Sequence, residues 1–213
     1  LLAEHFGGYL PVVVDVTDAL EFGKENLIAV WADNSNDPNY PPGKQQEVLD
    51  FTYFGGIYRD CWLIAHNQVF ITDPNYENEE AGGGLFVAYN NVSDHSAEVL
   101  LKIQIRNSGR KAFKGVVEYE LQQPDGQQVA SLNSVIRIKP GKSTYSSDKL
   151  TVKSPMLWSP ENPALYNLIV RIRDEKGNPI DGYRRRIGIR SIEFKGEDGF
   201  WLNGKPYEAP LIG

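Results

Sequence analysis

In the run Glu98-Val99-Leu100-Leu101-Lys102-Ile103-Gln104-Ile105-Arg106, Val99, Leu101, Ile103 and Ile105 fall on one side of an extended chain. Lys102, Gln104 and Arg106 fall on the other, which is the period-two pattern of a strand with one face in a core. Val117, Tyr119 and Leu121 repeat it, and so do Tyr166, Leu168, Val170 and Ile172. Pro124-Asp125-Gly126 and Lys176-Gly177-Asn178-Pro179 supply turn chemistry between such runs. About seven strands over roughly a hundred residues, with turns at this spacing, predict a two-sheet sandwich of immunoglobulin-like type. The chain has one Cys, so packing alone must hold that sandwich together.

No stretch of a dozen residues shows helical apolar spacing. The best candidate is a single turn at Thr17-Asp18-Ala19-Leu20, with Thr17 or Asp15 as cap and Gly23 as stop. The expected fold class is therefore all-β. Residues 1–73 read as strands and long loops. Val12, Val14 and Val16 alternate, while 26–32 and 58–64 are apolar runs expected as buried strands. Between those two runs lies a loop, 33–50, that holds Pro38, Pro41, Pro42 and Gly43. Loops of that length without their own structure tend to be functional. Near the other end, Asn203-Gly204 between Trp201-Leu202 and Lys205-Pro206 predicts a tight hairpin, because both turn positions tolerate positive φ. That hairpin is too small to stand alone and must dock on something.

Charge divides the chain unevenly. Residues 1–73 hold 11 acids and 3 bases, residues 74–190 hold 13 and 17, and residues 191–213 hold 4 and 2. The shift falls at Asp73-Pro74-Asn75, followed by Gly82-Gly83-Gly84, and predicts a boundary with a flexible crossing. Three segments are expected: 1–73, 74–190 and 191–213. The net charge of −6 argues against nucleic acid as a general partner, and no apolar run approaches a membrane span of about 18 residues. With no initiator Met or signal peptide, the chain is expected to be a piece of a longer protein.

Local catalytic motifs are absent: no Gly-x-Ser-x-Gly, no phosphate-cradling glycine loop, no His-Glu-x-x-His. His5, His66 and His95 are scattered and read as edge or loop residues, so no metal and no cofactor are expected. Cys61 lies in an apolar run and is expected as a buried structural thiol. Arg184-Arg185-Arg186 alternate in direction if they lie in a strand, which predicts a solvated face or a domain contact rather than one anion patch. Asn91-Val92-Ser93 matches a glycosylation acceptor, a tripeptide that also arises by chance. The segment Asp50-Phe51-Thr52-Tyr53-Phe54-Gly55-Gly56-Ile57-Tyr58-Arg59-Asp60 is denser in chemistry. Aromatic faces stack on the C–H faces of sugar rings, and carboxylates accept from sugar hydroxyls. The same residues also fit core and rim packing beside an ordinary Arg59–Asp60 ion pair.

Several strings, in order, resemble family 2 glycoside hydrolases, the β-galactosidase and β-glucuronidase group. His5-Phe6-Gly7-Gly8-Tyr9-Leu10-Pro11, Asp15-Val16-Thr17-Asp18-Ala19-Leu20, Glu25-Asn26-Leu27-Ile28-Ala29-Val30, Pro41-Pro42-Gly43 and Gly55-Gly56-Ile57-Tyr58-Arg59-Asp60 resemble that family's sugar-binding domain. Leu157-Trp158-Ser159-Pro160-Glu161-Asn162-Pro163 resembles its second, immunoglobulin-like domain. Gly188-Ile189-Arg190-Ser191-Ile192-Glu193-Phe194 and Phe200-Trp201-Leu202-Asn203-Gly204-Lys205-Pro206 resemble its lead-in to the catalytic barrel. The spacing is most similar to the β-galactosidase branch.

The resemblance implies part of a jelly-roll sugar-binding domain over 1–73, the sandwich over 74–190, and a hairpin opening a truncated TIM barrel over 191–213. It implies that both catalytic carboxylates lie on the barrel, so that none is expected here. It places one substrate-binding residue, Asp50, against a galactosyl unit. No metal is expected at that residue, because a sodium ion there would need barrel ligands too. The implied partner is a β-galactoside in the parent protein, with homo-oligomerisation an open alternative and a periplasmic or secreted bacterial setting expected. From a different class, a stand-alone carbohydrate-binding or adhesion module would share the fold.

Overall fold

The alternating rows are strands in the computed structural model, which describes residues 1–51, 54–80 and 82–208. The sandwich uses β1 (Val69–Ile71), β2 (Leu85–Asn90), β3 (Ser96–Asn107), β4 (Phe113–Gln122), β5 (Gln128–Ile138), β6 (Lys142–Lys153), β7 (Tyr166–Asp174) and β8 (Pro179–Ile187). One sheet centres on β3, with β6 along one edge and β1 and β2 along the other. The second has the order β5-β4-β7-β8, and every pairing is antiparallel. The inner faces carry Val99, Leu101, Ile103, Ile105, Val117, Tyr119, Leu121, Leu168, Val170 and Ile172, each at most 2% exposed. Those are the inward rows expected from the alternation, and they give the all-β sandwich its core.

β1 and β2 are two halves of one edge strand. Val69–Ile71 pair with 107–105 of β3, and Leu85–Asn90 pair with 103–98. Seven rows of ladder therefore come from eight strands. At the gap, Thr72 N–H donates to the Gln104 carbonyl at 3.1 Å and Gln104 N–H donates to the Gly84 carbonyl at 2.9 Å. The ladder thus runs through without a lost bond, and residues 73–80 and 82–83 loop out between its two halves.

That excursion folds back over the outer face of β3. Asp73 caps a single turn, α1 (Pro74–Glu77), by accepting from Asn75 and Tyr76 N–H at 2.8 and 3.0 Å. Glu77 binds Arg106 at 2.6 Å, and Glu79 accepts from the Gln104 amide at 3.3 Å and from the Tyr145 hydroxyl. Gln104 points away from the core yet is buried, because the excursion covers it. Gly84 returns at φ 53°, where a Cβ would stand 2.8 Å from Pro74 Cδ. At 73–84, where a boundary with a flexible crossing is expected, the turn chemistry and glycines serve a tethered excursion within the sandwich, and the chain divides into the compact units Leu1–Ala65 and His66–Gly213.

β8 breaks the alternation. Arg185, Tyr183 and Asp181 register with the buried Leu168, Val170 and Ile172, yet Arg184, Arg185 and Arg186 are all exposed. An edge strand with inward-side charge resists pairing with another sheet. The three arginines separate as expected: Arg185 lies over the Tyr183 ring, while Arg184 donates to Asn167 at 3.1 Å.

The predicted hairpin exists and gains a strand. β9 (Ile192–Phe194), β10 (Phe200–Leu202) and β11 (Lys205–Pro206) form a three-stranded sheet in the order β11-β10-β9. Asn203 and Gly204 make the turn at φ 52° and 73°.

Leu1–Ala65 is a separate unit. Its regular elements among the described residues are two 3₁₀ turns, Thr17–Ala19 and Gln46–Val48. The first is the single turn expected, with Asp15 accepting from Thr17 N–H at 2.9 Å. The runs 26–32 and 58–64, expected as buried strands, form no strand and pair with none among the described residues. Leu27 is 96% exposed, Trp31 89% and Trp62 79%. A strand is buried only when neighbouring strands cover it, and 1–65 supplies none among its described residues. Cys61 shares that outcome: it is exposed, where a buried thiol was expected.

Candidate functional site

The unit 1–65 brings segments distant in sequence into contact. Phe6, from the His5–Pro11 string, stacks on Tyr40 of the long loop with ring centroids 4.9 Å apart and planes 12° from parallel. Tyr58, from the Gly55–Asp60 string, donates its hydroxyl proton to the Gly8 carbonyl. Asn34, at the start of the loop, packs so closely on Gly55 that a Cβ there would fall 2.4 Å from Asn34 Cγ. Gly55 is therefore required by a close approach and not by a turn.

The loop holds itself by short-range side-chain bonds. Asp33 accepts from Ser35 N–H at 2.8 Å, and Asp37 accepts from Asn39 N–H at 2.8 Å. These are the Asx turns that Asp readily forms. The Ser35 backbone N–H, with help from its hydroxyl, holds the Asp33 carboxyl below its ordinary range.

Chemically this unit is acidic and carries exposed aromatic side chains. Phe54 is 78% exposed, Tyr9 62%, Tyr58 58%, Phe6 57% and Phe51 51%. The reading of Phe51, Phe54 and Tyr58 as core packing is therefore excluded for this structure. Ten acids against three bases within 1–65 make the surface electronegative. Such a surface can stack on a sugar ring and accept from its hydroxyls.

Asp50, the substrate-binding residue implied by resemblance, is exposed in a bend after the Gln46–Val48 turn. Thr52 and Tyr53, two residues of the same dense segment, lie outside the described residues. Sequence reasoning singled out the long loop by its length and prolines but not Asn34 or Tyr40. Their contacts run to glycine and aromatic positions 21 to 34 residues away, which no local pattern encodes. Among the described residues, no three His, Cys, Asp or Glu side chains come together as a metal site.

The pattern of glycosyl hydrolases family 2 matches residues 84–190, the heart of the sandwich. A beta-glucuronidase of Formosa agariphila is 31% identical over 208 residues, which is 96% of this chain and 21% of that protein. A beta-galactosidase of Thermoanaerobacter pseudethanolicus is 30% identical over 96% of this chain and 25% of its own length. Among solved structures, a variant of Bacteroides uniformis beta-glucuronidase 2 superposes with TM-score 0.81 at 31% identity, over 97% of this chain and 24% of that one. A putative beta-galactosidase from Bacteroides fragilis gives 0.74 at 27% identity, over 91% and 28%. The fold is thus an all-β architecture shared with these glycosidases. The chain belongs to glycosyl hydrolases family 2. It spans about a fifth to a quarter of the length of these curated relatives.

Proposed function

We propose that this chain is the forward, non-catalytic portion of a retaining glycoside hydrolase of β-galactosidase type. Retaining hydrolysis needs two carboxyl groups about 5 Å apart, one acting as acid/base and one as nucleophile. In this reading polypeptide beyond residue 213 supplies both, and the chain alone has no turnover. The unit 1–65 walls one side of the sugar site, with Asp50 accepting from a galactosyl hydroxyl and Phe6, Tyr40 and Tyr58 shaping the approach. The sandwich is a spacer that fixes this wall against the catalytic domain.

The observation that carries the proposal is the meeting of Phe6 with Tyr40, Tyr58 with Gly8 and Asn34 with Gly55. Two motifs of the sugar-binding resemblance, His5–Pro11 and Gly55–Asp60, meet each other and the long loop 33–50, contacts that an unrelated module would have no reason to make. The parent protein, encoded by the extended reading frame, tests it against paired chromogenic substrates. Preference for a β-galactoside over a β-glucuronide, reduced at least about tenfold in kcat/KM by Asp50→Ala, is the expected result. Preference for the glucuronide would overturn the galactosidase assignment. A frame that runs into a stop codon or an unrelated domain, with glycan binding by the 213-residue chain itself, would replace the enzyme by a stand-alone binding module.

A further inference from the structure

The β10–β11 turn is tied to the sandwich at several points. Asn203 N–H donates to the Ser191 carbonyl at 3.0 Å. Its side-chain Oδ1 accepts from Ser191 N–H at 3.1 Å, and its Nδ2 donates to the Trp158 carbonyl at 3.0 Å. These partners settle which amide atom is which, since an N–H only donates and a carbonyl only accepts.

Trp158 is an anchored partner. Its N–H donates to the Ile189 carbonyl at 2.8 Å, and Arg190 lies 4.9 Å from its ring. Gly188 leaves the ring its place, for a Cβ there would stand 2.8 Å from Trp158 Cγ. A second tie runs from the Tyr207 hydroxyl to Glu161 at 3.0 Å, and Leu202 is buried beside the turn. A two-residue hairpin needs only positive φ at this corner, which Gly would supply equally well. The two side-chain bonds of Asn203 are additional to the turn.

We infer that Asn203 is a positioning residue, whose side-chain amide locks the direction in which the polypeptide leaves the sandwich. It does so by joining the hairpin to the β6–β7 connection at Trp158 and to the outgoing chain at Ser191. The lock stands on this geometry alone. Its use in aiming a following catalytic domain rests on the reading proposed above.

Two variants of the 213-residue chain test it. Asn203→Gly keeps the left-handed corner and removes both side-chain bonds. Asn203→Asp keeps an acceptor for Ser191 N–H but turns a second acceptor toward the Trp158 carbonyl. In Asn203→Gly, amide exchange at Ser191 and Tyr207 accelerates about tenfold or more, the scale of two lost hydrogen bonds, while β7 amides keep their protection. In Asn203→Asp, Ser191 stays slow. Residual dipolar couplings read orientation directly: one alignment tensor fits β3–β8 and β9–β11 in the parent chain, and two are needed in Asn203→Gly. Unchanged exchange at Ser191 together with a single shared tensor in Asn203→Gly would overturn the inference. Sugar turnover plays no part in this test, so its failure and a failure of the galactosidase reading are distinguishable.

Discussion

Two apolar runs of similar length meet opposite fates in this chain. Val99 to Ile105 is buried along its inner row to 2% exposure or less, whereas Leu27, Ile28, Val30 and Trp31 are 64% to 96% exposed. Composition does not separate them, since 26–32 is the more continuously apolar of the two. Neighbours do. β3 has β6 along twelve residues of one edge and β1 and β2 along the other, so its backbone groups and its inner row are both covered. The run 26–32 has no pairing strand among the described residues of its unit. A hydrophobic stretch is thus a demand for burial, which only the topology around it can meet.

Hydrogen exchange in a dilute monomer sharpens that contrast most. Amides of Ser96–Asn107 and Tyr166–Asp174 are expected to exchange through global opening, and those of 26–32 and 58–64 within the range of unprotected loops. Equal strong protection in both places would show that 1–65 forms a ladder of its own. At higher concentration the exposed runs favour self-association, visible as a mass that rises with loading in sedimentation.

Substitution gives the next largest effect. Leu168→Ala, at a site with 0% exposure, is expected to cost about 2–5 kcal/mol in urea unfolding of the sandwich. Leu27→Ala, at 96% exposure, is expected to stay within about 0.5 kcal/mol. Comparable losses at both sites would erase the distinction between the two units.

The smallest effect is acid sensitivity of the excursion. The Tyr145 hydroxyl first, then the Gln104 amide, hold the Glu79 carboxyl below its ordinary range. A depressed carboxylate contributes stability that is fully present above its unfolded pKa and is lost as pH falls through the lower folded value. Protection of the 73–84 segment should therefore fall as pH drops below the usual carboxylate range, and Glu79→Gln should flatten that dependence. A pH-independent segment in the unsubstituted chain would remove Glu79 from the account.

The sandwich was legible because period-two alternation reports directly on which side of a strand is covered. Val117-Tyr119-Leu121 and Tyr166-Leu168-Val170-Ile172 need no further information. β8 was less legible, since an edge strand tolerates arginine where a central strand would not. The split of one strand into β1 and β2 was invisible, because Asp73-Pro74 and Gly82-Gly83-Gly84 carry the same local chemistry whether the chain crosses between domains or returns to the ladder it left. In 1–65 the resemblance named the motifs, but Asn34 against Gly55 and Phe6 against Tyr40 are long-range contacts without a local signature. Asp50 rests on resemblance, and its exposure in this structure leaves the galactosyl contact to the test above.

The interrupted edge strand has one more implication. Since Thr72 and Gly84 both bond to Gln104, the backbone ladder stays complete whatever the length of the chain between them. Closing a longer loop costs only about 0.6 kcal/mol per doubling of its length. The stretch between Thr72 and Gly84 is therefore a port where foreign peptide could be grafted, or where descent could lengthen the protein, with the apolar core of the sandwich behind it left untouched.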